Sequence, residues 1–575
     1  MTPFTIPNKN GQIIQPNVGD AIGNIFATYG IDLNANKGRL RLGGNLRKAY
    51  DNVDDADFSG YMGAFVKYSD SVIFGVSDKA FIGDPGDPTT GWAEASTSGA
   101  EPNSGNTIID ATFFDSLALV SQATNIKSWN GSTWADWWTS TLGQSALTGG
   151  YKHLLKVGAD GNLYITDFGN KLYKVTPTGS IALTGDGTLD FSATPHIFQC
   201  METTSSRLWI GTRNDMGEAV IIEWDMAPNS ISANRIHKVG ADAVWCIAIF
   251  EDTPIAILSN GKIKYFNGSS FVDYPNARIP LYEAIMDEKT VHHNGWAIID
   301  GLPHFLIRGA YALPSGSAYT ENNSNDWSFP SGIYALDPQN GLHCRFPLSI
   351  GEASKADYGQ LSVKEVGALY AIENVSTKFI CSFEYYETPS TIVSTLAYLE
   401  KMNTQAGRGW FATAFADDFN EVWETLALVH KKFVSGDKIN LFYRTELVDT
   451  VNAFGTFVGT NQFNTDADLS AFGDGQTCII KAGPGAGKWL RIKKIDRSSA
   501  TVTVITFEQD VDFATDGMQT TIAFTNFKWM ATIEDTADFH KQNFPISAKV
   551  RKVQALVEIE QAAGSRVELD YVIIS

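Results

Sequence analysis

Residues 128–137 read Ser128-Trp129-Asn130-Gly131-Ser132-Thr133-Trp134-Ala135-Asp136-Trp137, and residues 265–274 read Tyr265-Phe266-Asn267-Gly268-Ser269-Ser270-Phe271-Val272-Asp273-Tyr274. Both carry an aromatic residue, then Asn-Gly-Ser, a hydroxyl residue, a second aromatic, one free position, Asp and a third aromatic. They stand 137 residues apart, three times about 46, which is the length of a four-stranded propeller blade. A unit of that length has to recur between and beyond the two copies, and it does. Val72-Ile73-Phe74 ends at Gly75, Leu117-Ala118-Leu119-Val120 at Ser121, Leu163-Tyr164-Ile165 at Thr166, and Leu208-Trp209-Ile210 at Gly211. Ile255-Ala256-Ile257-Leu258 then ends at Ser259, Phe305-Leu306-Ile307 at Arg308, and Leu369-Tyr370-Ala371-Ile372 at Glu373. The steps between these turn residues are 46, 45, 45, 48, 49 and 65, the last lengthened by the Gly/Ser/Asn-rich stretch 309–331.

Second strands follow several of these runs across a turn, as in Lys171–Val175 and in Lys262–Phe266 after Asn260-Gly261. Asn-Gly is the two-residue turn whose twist best matches paired strands. The expectation is an all-β protein with a β-propeller of about seven blades in residues 1–390. Tyr29-Gly30-Ile31-Asp32-Leu33 or Arg39-Leu40-Arg41-Leu42 are the candidates to pair with the last blade and close the ring.

Composition agrees with that class. The chain of 575 residues is 43% hydrophobic and only 19% charged, with 51 Gly, 34 Phe, 20 Tyr and 14 Trp, a balance of short strands and tight turns rather than long solvated helices. Its formal charge is -20, from 44 basic and 64 acidic residues. Residues 1–390 hold 26 basic against 41 acidic side chains (net -15), and residues 391–575 hold 18 against 23 (net -5). Such a field repels a phosphate backbone, and no Lys/Arg block is present to dock on nucleic acid or anionic lipid. The five cysteines, Cys200, Cys246, Cys344, Cys381 and Cys478, are odd in number and far apart, which reads as buried reduced thiols. Residues 1–10 have neither a basic nor an apolar leader segment, and no apolar run reaches 18 residues, so folding in a cytoplasm without membrane insertion is expected.

Beyond residue 390 the period stops. Lys438–Arg444, Val550–Ile559 and Val567–Ile574 read as strands; in the last of these Val567, Leu569, Tyr571 and Ile573 share one face, as in a half-buried antiparallel strand. Residues 391–452 and 531–575 are expected to form one β-sandwich. Residues 453–530, with Thr477–Lys481, Lys488–Ile495 and Thr501–Thr506 as strands, are expected to form a small inserted barrel of SH3 type.

Motifs for chemistry are sparse. Ala482-Gly483-Pro484-Gly485-Ala486-Gly487-Lys488-Trp489 has Ala where a phosphate loop has its first Gly and Trp where it has Ser/Thr, and it precedes a strand rather than a helix, so it reads as a hairpin turn. His292-His293 is the one adjacent histidine pair; on a strand the two point to opposite faces and do not share a site. His196 near Cys200 lacks the rest of a thiol-protease signature. Asp51, Asp54, Asp55 and Asp57, and separately Asp466, Asp468 and Asp474, are acidic clusters without calcium-loop spacing. The Asn-Gly-Ser motif is not the Asp box of sialidase propellers. No catalytic, cofactor-binding or metal-binding residues are assigned, and the chain is expected not to be an enzyme.

Taken together, Ile25–Leu33, the Trp-Asn-Gly-Ser-Thr-Trp repeats, Asp437–Thr445, Gly483–Gly487 followed by Leu490-Arg491-Ile492, and Val567–Ile574 resemble segments of bacteriophage tail and virion structural proteins of the nozzle or tail-tip type. The resemblance implies a non-enzymatic, homo-oligomeric component of the virion tail. Its partners would be other tail proteins and copies of itself, and genomic DNA would meet it only in transit. The alternative is a glycan-binding or glycan-processing propeller at the host cell surface.

Overall fold

The computed structural model describes most strands and turns between residues 25 and 574, together with Ile6–Pro7 and Ile13–Ile14. Residues 50–61, 96–101, 180–187, 228–234, 280–285, 322–328, 352–361, 373–378, 401–406, 512–518 and shorter connections are not among the described residues. Strands dominate throughout.

Seven sheets form a β-propeller. Six have four strands each: blade 1 begins at Met62–Tyr68, blade 2 at Asp110–Phe114, blade 3 at Leu155–Val157, blade 4 at Ile197–Thr203, blade 5 at Val244–Phe250 and blade 6 at Trp296–Ile299. Blade 7 runs Ser362–Ala371, Phe379–Thr388, Thr391–Leu399, and then takes Leu46–Lys48 and Ile350–Gly351 from elsewhere in the chain. The first strand of each blade lies against that of the next, and Ser362–Ala371 of blade 7 lies against Met62–Tyr68 of blade 1, so the ring closes.

The core explains why the repeats read as unbroken apolar runs. One apolar cluster fills each of the seven gaps between neighbouring blades. Ile73 packs toward blade 2 while Val72 and Phe74, on the other face of the same strand, pack toward blade 7. A strand buried on both faces has no polar side to alternate with. The two motif copies are the turns joining the third and fourth strands of blades 2 and 5. In the first, the Asn130 side-chain oxygen accepts from the Ser132 and Thr133 amides at 3.0 and 2.9 Å; in the second, Asn267 accepts from Ser269 and Ser270 at 3.0 Å each. Gly131 (φ 101°) and Gly268 (φ 93°) take the left-handed step that a side chain resists. The three-blade spacing of the motif is thus structural.

Three expectations are corrected. Neither 29–33 nor 39–42 closes the ring: Ile25–Tyr29 pairs with Gly407–Thr413, and Ile31–Asn36 and Arg39–Leu42 join the sandwich, while Leu46–Lys48 closes blade 7 against Thr391–Leu399. The propeller therefore runs to residue 399 rather than 390. The seventh apolar run, Leu369-Tyr370-Ala371, lies on the first strand of its blade, whereas the other six lie on second strands, so the seven runs do not occupy equivalent positions.

The sandwich has two sheets, one of five strands and one that runs on into the barrel and carries Ala416–Asp417 as a short extra strand on Lys552–Gln561. One orders Ile25–Tyr29, Gly407–Thr413, Lys552–Gln561, Lys438–Arg444 and the end of Gln519–Glu534; the other orders Ile31–Asn36, Arg39–Leu42, Leu569–Ile574, Trp423–His430 and His540–Val550. Ile31, Phe411, Leu428, Leu441, Val557 and Leu569 meet between them. The inserted barrel closes with six strands, Val451–Val458, Gln462–Thr465, Thr503–Phe507, Trp489–Asp496, Gln476–Ala482 and Gln519–Glu534, the last also pairing with the first and with the sandwich. Tyr29, Trp410 and Phe442 of the sandwich pack on Ile479, Trp489 and Phe527 of the barrel.

A buried ion pair ties sandwich to propeller. Arg345, on the outer strand of blade 6, donates to Asp32 at 3.0 Å and to Asp300 at 2.6 Å, and Asp32 is fully buried. Burial and the neighbouring guanidinium hold His304 down to about 3, so its ring is neutral where Arg345 Nη1 meets Nε2 at 3.3 Å.

Candidate functional site

Propellers commonly carry their chemistry along the axis, and here one end of that axis is closed by the protein itself. The segment 287–295, which leads into blade 6, crosses it. Asn294 Nδ2 donates to Asp110 of blade 2 at 2.8 Å and to the Gly63 carbonyl of blade 1 at 3.3 Å. The Lys289 and Asn294 carbonyls accept from Val366 and Leu369 of blade 7 at 3.1 and 2.9 Å. Glu288 pairs with Lys152, at the entry to blade 3, at 2.7 Å, and the Cys246 thiol of blade 5 points to the His293 carbonyl at 3.7 Å. Below this plug Lys156 of blade 3 pairs with Glu202 of blade 4 at 2.5 Å, and Glu202 also accepts from Trp296.

The electrostatics follow from burial. Desolvation raises Asp110 to about 6, against the bonds from Leu155, Asn294 and Ala111 that favour its carboxylate. Glu202 is likewise pushed up by burial, opposed by Lys156. His292 and His293 are held well below the usual imidazole range, by burial first and, for His293, by its neighbour second. These are neutral rings serving as packing and acceptors: His292 Nδ1 takes the Asn294 amide at 3.1 Å.

At the opposite end of the axis a blind recess of about 510 Å³ opens between blades 6, 7 and 1, with Lys67, Ile298, Asp300 and Tyr370 on its walls.

The residues singled out in the sequence fall as follows. His292 and His293 lie in a turn, not on a strand, and their rings sit 4.2 Å apart on the plug, so the strand argument that separated them does not apply. His196 is held down by burial, and the Cys200 thiol, pushed far up by burial, points to the Val244 carbonyl at 3.5 Å; the pair is not an activated nucleophile. All five cysteines are free and buried, with Cys344 raised to about 12. Asp468 accepts the Ser470 amide at 2.9 Å, which is turn chemistry, and Asp474 accepts the amide of Ile495 on the strand Trp489–Asp496 at 3.1 Å. The cluster Asp51–Asp57 lies outside the described residues. Among the described residues no group of three or more His, Cys, Asp or Glu side chains is placed to share a metal ion. Gly487 follows a strand and precedes another, its amide on the Ile480 carbonyl at 2.7 Å, as the hairpin reading requires. Of the plug, Asp287-Glu288-Lys289-Thr290-Val291-His292-His293-Asn294-Gly295, the sequence singles out only the histidine pair, and the fold reveals the burial of Thr290, Val291, His292 and His293.

No protein-family model matches the chain, and no curated protein matches it in sequence. Among solved structures it is similar to the RRP9 WD40 repeats (10% identity, 62% of this chain and 97% of that one, TM-score 0.36). It is also similar to BamB from Moraxella catarrhalis (10%, 66% and 98%, TM-score 0.32). A third likeness is to Chaetomium thermophilum Raptor (10%, TM-score 0.39), where 62% of this chain spans 29% of that one's length. At such identities the likeness concerns the propeller fold alone, and none of the three is a virion component by name.

Proposed function

We propose that the chain is a non-enzymatic structural component of a bacteriophage tail, of the nozzle, tip or adaptor-proximal type, repeated as a homo-oligomer in the virion after folding in the host cytoplasm. The observation that carries this reading is the plugged axis: Thr290, Val291, His292 and His293 are buried, and the polar groups of the plug segment and of the first strand of blade 6 are occupied in joining them to the other six blades, which suits a stiff building block. The sandwich is threaded by the chain's own N-terminal strands and pinned to blade 6 through Arg345, so propeller and sandwich behave as one body. With one end of its propeller axis closed, DNA in transit would pass between protomers, along the symmetry axis of an oligomer, and the acidity of residues 1–390 would keep it from adhering.

Mass spectrometry of purified particles from the source culture tests the reading. Stoichiometric presence is expected; absence from particles overturns it. A reconstruction of the intact tail would then show symmetric copies, and a single asymmetric copy would refute the homo-oligomer.

A further inference from the structure

Between blades 2 and 3 lies a cleft of about 500 Å³ with an uncommon wall. Trp137–Thr141 form a π-helical turn, closed by the Leu142 amide on the Trp137 carbonyl at 2.9 Å; such turns are rare and frequent at functional sites. The Asn130 turn supplies a second wall, and the turn at Thr178 faces them from blade 3. Buried Trp137 and Phe114 make the floor, and exposed Asp115, Thr133, Thr141 and Thr178 stand at the rim with Ser128 below.

From this lining we propose that the cleft binds a short neutral oligosaccharide. Besides Asp115 its polar side chains are hydroxyls and one amide: the Asn130 oxygen is taken up by its own turn, Thr133 donates to it at 3.2 Å and Thr178 bonds Thr176 at 2.9 Å, which leaves the threonine oxygens to accept from sugar hydroxyls and the Asn130 amide N–H groups to donate to them. Asp115 is the one charged side chain among the lining residues: a carboxylate accepts two hydroxyls well and repels phosphate, sulfate or sialate, for which the cleft offers no cation. The apolar floor suits the C–H face of a pyranose ring. The repeat tryptophans do not do this work by stacking in the open, since Trp129, Trp134, Trp137 and Trp138 are all buried; shape and hydroxyl chemistry carry the site. This proposal stands apart from the tail reading and survives or fails independently of it.

The test is saturation-transfer NMR on the intact chain with chitotriose, maltotriose and cellotriose, with sialyllactose as the anionic control, followed by a printed array of neutral and acidic glycans. Binding of at least one neutral sugar at millimolar concentration is expected, without binding of sialyllactose. Ala135→Trp, at an exposed lining position, should fill the cleft and abolish the signal; Asp115→Asn, tolerated at φ 47°, should weaken it about tenfold. Both variants should keep the wild-type melting temperature within a few degrees. Failure of every neutral glycan to bind, equal binding of acidic ones, or binding unchanged by either variant overturns the proposal.

Discussion

Asp110 accepts the Leu155 amide at 2.8 Å and the Asn294 side chain at 2.8 Å, so one carboxyl group touches blades 2, 3 and 6. Its acidity is raised to about 6 from an ordinary 3.8, so the folded protein binds a proton there more readily than the unfolded chain. The stabilisation from that proton is complete below the unfolded value of 3.8 and is lost as pH rises through about 6. Asp110→Asn removes the titration. Relative to wild type it should become more stable by about 2 kcal/mol between pH 4 and pH 7, whatever its constant cost, at about 1.36 kcal/mol per unit of pKa difference. Urea unfolding at the two pH values checks this, and a pH-independent difference refutes it. At Arg345 the sign is simpler. Arg345→Ala leaves Asp32 buried without its cation and should cost about 3–5 kcal/mol, read by chemical denaturation, while Asp32→Ala together with Arg345→Ala should cost less than the sum. Turn residues point the other way: Asp115 and Ser116 both sit at positive φ, 47° and 65°, in a two-residue hairpin. Ser116→Gly should therefore stabilise by about 0.5–1 kcal/mol in the same assay.

Among the elements, the three-residue strand Leu46–Lys48 completes blade 7 from the opposite end of the propeller sequence, as its fourth strand. Arg47→Pro puts a residue without an amide proton opposite Tyr398 and should lower stability by about 3 kcal/mol or more, with a broader unfolding transition. An unchanged transition would mean that closure does not depend on this strand. That strand was also the least legible. Leu-Arg-Lys has no alternation long enough to read, whereas Tyr29–Leu33 and Arg39–Leu42, the candidates for closing the last blade, read as strands whose partner lies in the sandwich instead. Strand character is local and follows from side-chain pattern; partner choice across some 350 residues does not. The six regular blades were readable for the opposite reason, since each middle strand is buried on both faces and announces itself as a run such as Leu117–Val120. The plug was half visible, as a histidine pair whose burial no pattern encodes.

At the scale of the whole molecule, the N-terminal region serves two modules in succession: Ile25–Leu42 completes the sandwich and Leu46–Lys48 the propeller. A fragment of residues 44–400 should therefore fold as a monomeric, β-rich, cooperative propeller. A fragment of residues 1–400 carries the strands Ile25–Tyr29 and Ile31–Asn36 without Gly407–Thr413 and the other partners they need, and should aggregate through those open edges. Size exclusion and circular dichroism separate the two outcomes. Equally soluble fragments would show that the N-terminal strands need no sandwich to be tolerated.

The closing strand also sets a clock on biosynthesis. Lys48 leaves the ribosome about 340 residues before Thr391, its neighbour's first residue, and at about 5–20 residues per second that interval is roughly 17–70 s. Throughout it the nascent chain carries an unfinished circle, with blade 1 exposed on the flank that blade 7 will cover. The apolar surface of Val72, Phe74 and Phe81 waits for Ile380, Leu396 and Tyr398. Ring closure is thus a late, chain-wide event, and a translating cell must shelter that flank until nearly seven-tenths of the polypeptide has been made.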